Sequence, residues 1–392
     1  MPLRPCDSSA RNPNEQHHGE HPIISATVTQ SSPVMMCFPF LALNESCSIG
    51  GWELVRADNA FDEGVWVSES YKQDSQNMLR CFRYGTRHFE LINPTLVARA
   101  GRSFTGEPPT PEERNALIDM VAFEALDRNT PRVRASDEPP QASPLSFGWL
   151  VAENVEYWEM PVSNDNALTL SVGRRHKTRM FDTWGEDNPI VGPAVLADVS
   201  GCHVRIHGDM AENLYGALLS DSVQSAKLAT AIKFFVDSWR NHSSAIIPDW
   251  TFDHATVISS QQTALEVLFG KNDTRSKAHH IVEGLRELLK RCHEAVADPD
   301  DVPKLAELCV VYMSLHNERK FYESQCFCDW AQKFTQIRNK TVHEGAPMAA
   351  PCLSRLPAEQ DRLEVLVEVS DTADTVIRDA IRLHAYLLAQ SQ

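Results

Sequence analysis

The chain has 392 residues, 42% of them hydrophobic and 23% charged, a balance that suits a folded chain long enough for two ordinary cores. A formal net charge of −16 argues against a protein that coats nucleic acid through an overall positive field, while leaving room for a small basic cleft. No run approaches the roughly 20 apolar residues a membrane helix needs, so no membrane association is expected.

Residues 1–22 are polar and proline-punctuated, with no helical or strand period, and lack the apolar core of a secretory signal. They are expected to be a flexible leader, and His17, His18 and His21 within it a solvated cluster. The ten cysteines are scattered without a C-x-x-C pair, which points to reduced, mostly buried thiols and a cytoplasmic protein. Cys326 and Cys328 flank a single residue, but no further ligands with metal spacing stand near them. Neither a metal nor a cofactor is expected.

Residues 23–208 are expected to form a β-rich N-terminal domain. I-I-S-A-T-V-T-Q, G-W-E-L-V-R-A-D, G-V-W-V-S-E-S-Y, C-F-R-Y-G-T-R-H-F-E-L-I, G-W-L-V-A-E-N-V-E-Y-W-E-M, A-L-T-L-S-V-G and C-H-V-R-I-H are short period-2 runs separated by Gly, Pro, Asp and Asn. One helix interrupts them, P-E-E-R-N-A-L-I-D-M-V-A-F-E-A-L, with Pro111 and acids in its first turn. A proline-rich loop follows it. The five tryptophans up to Trp184 are expected in the core.

Residues 209–392 change to a helical period. Leu228, Ile232, Phe235 and Trp239 form one apolar stripe; Val257, Leu265 and Leu268 a second, stopped at Gly270; Ile281, Leu285, Leu288 and Leu289 a third. Leu305, Leu308, Tyr312 and Leu315 follow, then Trp330, Phe334 and Ile337, and finally a long stripe from Leu366 to Leu387. The fold expected is therefore α+β, a β-rich N-terminal domain followed by an all-α bundle. No Gly-rich phosphate loop and no G-x-S-x-G elbow occurs.

The bundle contains Q-I-R-N-K-T-V-H-E-G-A-P, residues 336–347. RNA strand cleavage without metal needs a base for the ribose 2′-OH, a cation for the phosphorane charge and an acid for the leaving 5′-oxygen. Histidine suits proton transfer near cellular pH, and the arginine fork matches two phosphate oxygens. Arg338 and His343 supply these types, with Asn339 to orient either group. On an ideal helix Arg338 and His343 lie about 140° apart, and Glu344-Gly345-Ala346-Pro347 is a helix stop, so His343 is expected at or past the last turn. One His343 cannot serve as base and acid on opposite sides of the phosphorus, so a catalytic site predicts a homodimer with a second copy across a two-fold axis. The simpler reading is an arginine and a histidine that complement a helix C-terminus.

Arg338-Asn339 followed by His343, late in a helical half, resembles the R-N-x-x-x-H signature of the HEPN superfamily, and the layout is similar to the Apea-like HEPN proteins. K-L-A-T-A-I-K-F-F-V-D-S-W, then Q-Q-T-A-L-E-V-L-F-G with Glu266, resembles the family's entry into the bundle, and K-N-D-T-R-S-K-A-H-H-I-V-E-G-L-R-E-L-L its second helix. The resemblance covers residues 226–346 best. It implies a HEPN-type bundle and a metal-independent endoribonuclease used in anti-phage abortive infection, cutting by 2′-OH attack to leave a 2′,3′-cyclic phosphate. It assigns catalysis to Arg338 and His343 with Asn339 in support and RNA as substrate, with a phage-derived protein as a possible trigger; by elimination alone, the β-rich domain is the candidate sensor. Two positions depart from the pattern: Gly284 stands where the family often carries arginine, although Arg286 is near, and Gly345 replaces the tyrosine of an H-x-Y. On the enzyme reading Lys271, Arg275, Arg286, Lys290 and Lys340, with neighbouring Lys277 and Arg291, mark an RNA track; otherwise they are a solvated face. The alternatives are a HEPN module that binds a nucleotide or protein without cleaving, and a purely structural dimerisation bundle.

Overall fold

The structure is a computed structural model that describes residues 34–39, 41–79, 82–84, 87–89, 94–126, 155–161, 167–172, 178–183, 190–191, 204, 206–241, 254–295, 322–343 and 357–390. The expected leader, the strand at 23–30, the proline-rich loop and the helix through Leu305–Leu315 lie outside the described residues. Met1–Ser31 is one contact unit, and Ser32–Gln392 is the other, compact unit that holds all the elements below.

The main sheet runs β2 (Cys47–Ile49), β3 (Trp52–Arg56), β7 (Thr95–Arg99), β1 (Val34–Phe38), β9 (Trp158–Pro161), antiparallel along that path. β8 (Ser103–Phe104) extends from β7 and pairs in parallel with β4 (Val65–Trp66). β5 (Phe82–Tyr84), β6 (Arg87–Phe89) and β12 (Ile190–Val191) form a small second sheet, and β10 (Ala167–Val172) and β11 (Thr178–Thr183) a hairpin.

Both faces of the main sheet are covered, and its side chains alternate between two cores. Met36, Phe38, Trp52, Leu54 and Val97 enter the main core, while Met35, Cys37, Val55, Leu96, Ala98, Trp158 and Met160 enter a smaller one. The smaller core is closed by α1 (Ala57–Glu63) and α2 (Glu69–Leu79) through Ala57, Ala60, Tyr71, Met78 and Leu79. Here the sequence expectation needs correction. Only Val65–Trp66 of G-V-W-V-S-E-S-Y is a strand; Ser68 Oγ accepts the Tyr71 amide at 3.1 Å and starts a helix at Glu69.

On the other face lies α3 (Pro111–Glu124). Its start is a full capping box: Thr110 Oγ1 accepts the Glu113 amide at 3.2 Å and Glu113 Oε2 accepts the Thr110 amide at 2.8 Å. α4 (Gly208–Leu219) follows, set against the β2–β3 turn, where Gly50 has a φ of +58° and donates its amide to Glu212 at 2.6 Å. A Cβ on Gly50 would overlap the Tyr215 ring.

The helical half continues with α5 (Val223–Asn241), α6 (His254–Phe269), α7 (Lys277–Ala295), α8 (Gln325–His343) and α9 (Pro357–Gln390), the last in contact with α4 through α8. The apolar stripes read from the sequence face inward: Leu228, Ile232, Phe235, Trp239, Leu265, Ile281, Leu285, Trp330, Phe334, Val369, Ala373, Val376 and Leu383 are all buried. The fold is α+β, and the main core is continuous from the sheet through α3 and α4 into the bundle. Among the described residues no helix is long and apolar enough to cross a membrane.

The described cysteines are free. Burial drives the Cys37 thiol far up and pushes those of Cys47 and Cys292 up to about 12, which keeps them protonated and unreactive. No group of His, Cys, Asp or Glu with metal-holding geometry occurs among the described residues.

Candidate functional site

α8 carries the motif, and its root is anchored to α7 and α9. Tyr322, just before the helix, donates its hydroxyl to Asp379 of α9 at 2.5 Å. Arg286 of α7 donates Nε–H to the Tyr322 carbonyl at 2.8 Å and reaches the Ser324 carbonyl and Cys328 Sγ, each at 3.5 Å. Phe327, Trp330 and Phe334 then stack in series along one face, with ring centroids 5.5 and 5.2 Å apart and planes within 16° of parallel. The Trp330 indole donates to the Val369 carbonyl of α9 at 3.2 Å.

At its other end α8 leaves the core. Ile337 and Arg338 are half-buried and Asn339 is exposed. The Arg338 guanidinium donates to Asn339 Oδ1 at 3.4 Å, a long, weak contact between neighbours in sequence. His343 is the last residue of the helix, so its backbone keeps the helical register; its side chain, and that of Lys340, lie outside the description. In that register Arg338 and His343 are about 140° and 7.5 Å apart, while Asn339 stands one turn before His343. The structure thus joins Arg338 to Asn339 and places His343 on the same terminal turns.

The basic stretch is more heavily engaged than its sequence suggests. Arg275 is held by Asp273 at 2.5 Å, and this guanidinium keeps the Asp273 carboxyl well below the usual carboxylate range. Lys277 pairs with Glu266 at 2.7 Å. Arg286 braces the root of α8, about 20 Å along the helix from Arg338. Lys271 and Lys290 are exposed, Lys290 near Glu294 at 3.8 Å. Arg286 is therefore at the opposite end of α8 from Arg338 and Asn339.

Two features here were not read from the sequence. His280, 6% exposed, meets Asp273 at 2.6 Å, and Arg275 meets His279 at 3.2 Å, so the loop before α7 is a closed polar cluster. Asp273 and Ser276, spaced as turn and cap residues ahead of the α7 stripe, were the available signal. Gly284 has a packing reason: a Cβ there would overlap the Phe269 ring of α6, down to its own Cβ. An arginine at that position would force the two helices apart.

Comparison of the chain with protein-family models, with curated proteins and with solved structures returned no match.

Proposed function

We propose that the chain is a metal-independent endoribonuclease with a HEPN-type site, acting in the cytoplasm in anti-phage defence. The observation that carries the reading is the end of α8, where a half-buried Arg338 guanidinium touches the exposed Asn339 amide and the helix ends at His343. A cation that is partly desolvated binds phosphate more strongly than one in bulk water, and a terminal helical turn favours a protonated histidine. In the proposed reaction His343 takes the ribose 2′-OH proton. The 2′-oxygen forms a bond to phosphorus, the bond from phosphorus to the 5′-oxygen breaks, and Arg338 holds the negative charge between them. The proton for the 5′-oxygen comes from His343 of a second copy, which makes a homodimer part of the proposal. The products are a 2′,3′-cyclic phosphate and a 5′-hydroxyl.

The second reading is a HEPN module that holds a nucleotide without cutting it. It is favoured by the engagement of Arg275, Lys277 and Arg286 with Asp273, Glu266 and backbone carbonyls, which leaves less of the basic stretch to follow an RNA strand. Incubating the purified protein with labelled RNA in EDTA separates the two. The enzyme reading predicts cyclic-phosphate ends; intact RNA bound in an Arg338-dependent way would support the module.

A further inference from the structure

The strongest unexplained feature is a set of ionisable side chains buried on α9. Asp374, Arg378, Asp379 and Arg382 are 1%, 6%, 2% and 6% exposed. Together they reach α3, α5 and the root of α8. Asp374 accepts the Trp239 indole N–H of α5 at 2.8 Å and Arg378 Nε–H at 2.9 Å. Arg378 also donates to the Leu126 carbonyl at the end of α3 and lies over the Phe235 ring at 4.9 Å. Arg382 donates to Glu124, fully buried in the last turn of α3, at 3.1 Å. Asp379 takes the Tyr322 hydroxyl at the root of α8.

Charges buried this deeply lose several kcal/mol of solvation each, and apolar side chains of the same volume generally stabilise a core as well or better. Two arginines also meet the C-terminal end of α3, where cations are favoured by the helix dipole. Glu124 Oε1 and Arg378 Nη1 are buried and make no hydrogen bond among the described residues.

We propose that this seam is a regulatory joint: a shift at the C-terminal end of α3 passes through Arg378 and Arg382 to α9, and through Asp379–Tyr322 to α8 and its Arg338–Asn339 end. As regulation it rests on the ribonuclease reading; as mechanical coupling between α3 and α8 it stands independently of it. It gives the sheet half, against which α3 lies, a route to the motif 20 Å or so beyond the root of α8.

The test is hydrogen–deuterium exchange on the full chain. Glu124→Gln keeps the shape of the joint and removes its charge. The proposal expects amide exchange over residues 325–343 to rise about tenfold, although no altered atom touches α8. Arg382→Lys, a gentler change in case Glu124→Gln fails to fold, is expected to raise it in the same region. In a Tyr322→Phe background, where the link to Asp379 is cut, Glu124→Gln is expected to add nothing further in α8. Exchange changes confined to α3 and the end of α9, or effects of Glu124→Gln and Tyr322→Phe on α8 that simply add, would overturn the coupling. RNA cleavage is measured alongside. No cleavage by the wild type sinks the ribonuclease reading and leaves the exchange result to decide the coupling; cleavage with an uncoupled α8 does the reverse.

Discussion

Arg338, Asn339 and His343 can be picked out of the sequence because their residue types suit phosphodiester chemistry, but their grouping depends on where α8 ends. The stop at Glu344–Pro347 made that end legible; the contact between Arg338 and Asn339 was not, since helical neighbours normally diverge. Arg338→Ala and His343→Ala are each expected to lower RNA cleavage at least a hundredfold with helical circular dichroism unchanged, the scale of losing a charge clamp or a proton-transfer group. Arg338→Lys should restore little, because an ammonium lacks the planar fork. Wild-type rates in any of these variants would remove that residue from the site. A second residue-scale expectation concerns His384 in α9. Burial, aided by Arg291 and Lys227, lowers its pKa from 6.5 to about 4, so the folded chain holds it neutral. A histidine depressed in this way contributes stability that is complete above pH 6.5 and is lost as pH falls toward 4, by at most about 3 kcal/mol. Thermal melts between pH 7 and pH 4 should show that loss, and His384→Leu should flatten it. An unchanged slope in the variant would show that other groups carry the acid sensitivity.

At the scale of elements, the helices of the C-terminal half were legible because each buries one stripe, and a single buried stripe prints a 3.6-residue period. The strands at the centre of the main sheet were not. V-M-M-C-F and T-L-V-A-R are buried on both faces, so β1 and β7 show apolar runs where a half-exposed strand would alternate. α2 was missed for the opposite reason: Tyr71, Ser75, Met78 and Leu79 are its only buried side chains, too thin a stripe to outweigh the β-branched run before it. Gly284 gives the sharpest element-scale test. Alanine in a helix is ordinarily about 1 kcal/mol better than glycine. Here the added methyl meets the Phe269 ring, so Gly284→Ala is expected to destabilise by about 1–3 kcal/mol in urea unfolding. A stabilised variant would mean that α6 and α7 do not meet at Gly284.

For the whole molecule, composition argued against a nucleic-acid coat, and the change of period near residue 208 separated strand-rich from helical sequence. The core that joins them was not legible, because the partners of Glu124 and Leu126 lie more than 250 residues later, on α9. The proposed reaction needs a second histidine, so the whole chain should be dimeric in light scattering, and an Arg338→Ala chain mixed with a His343→Ala chain should regain part of the activity that each lacks. An active monomer at assay concentration would contradict the shared site. EDTA should leave the rate unchanged, since the proposed steps use only Arg338, Asn339 and His343; loss on chelation with recovery on Mg²⁺ or Mn²⁺ would contradict it. The most direct measurement is sequencing of cellular RNA ends after induced expression of the wild type and of His343→Ala. The account predicts new internal ends bearing 2′,3′-cyclic phosphates in the wild type alone; identical end profiles in the two would contradict it.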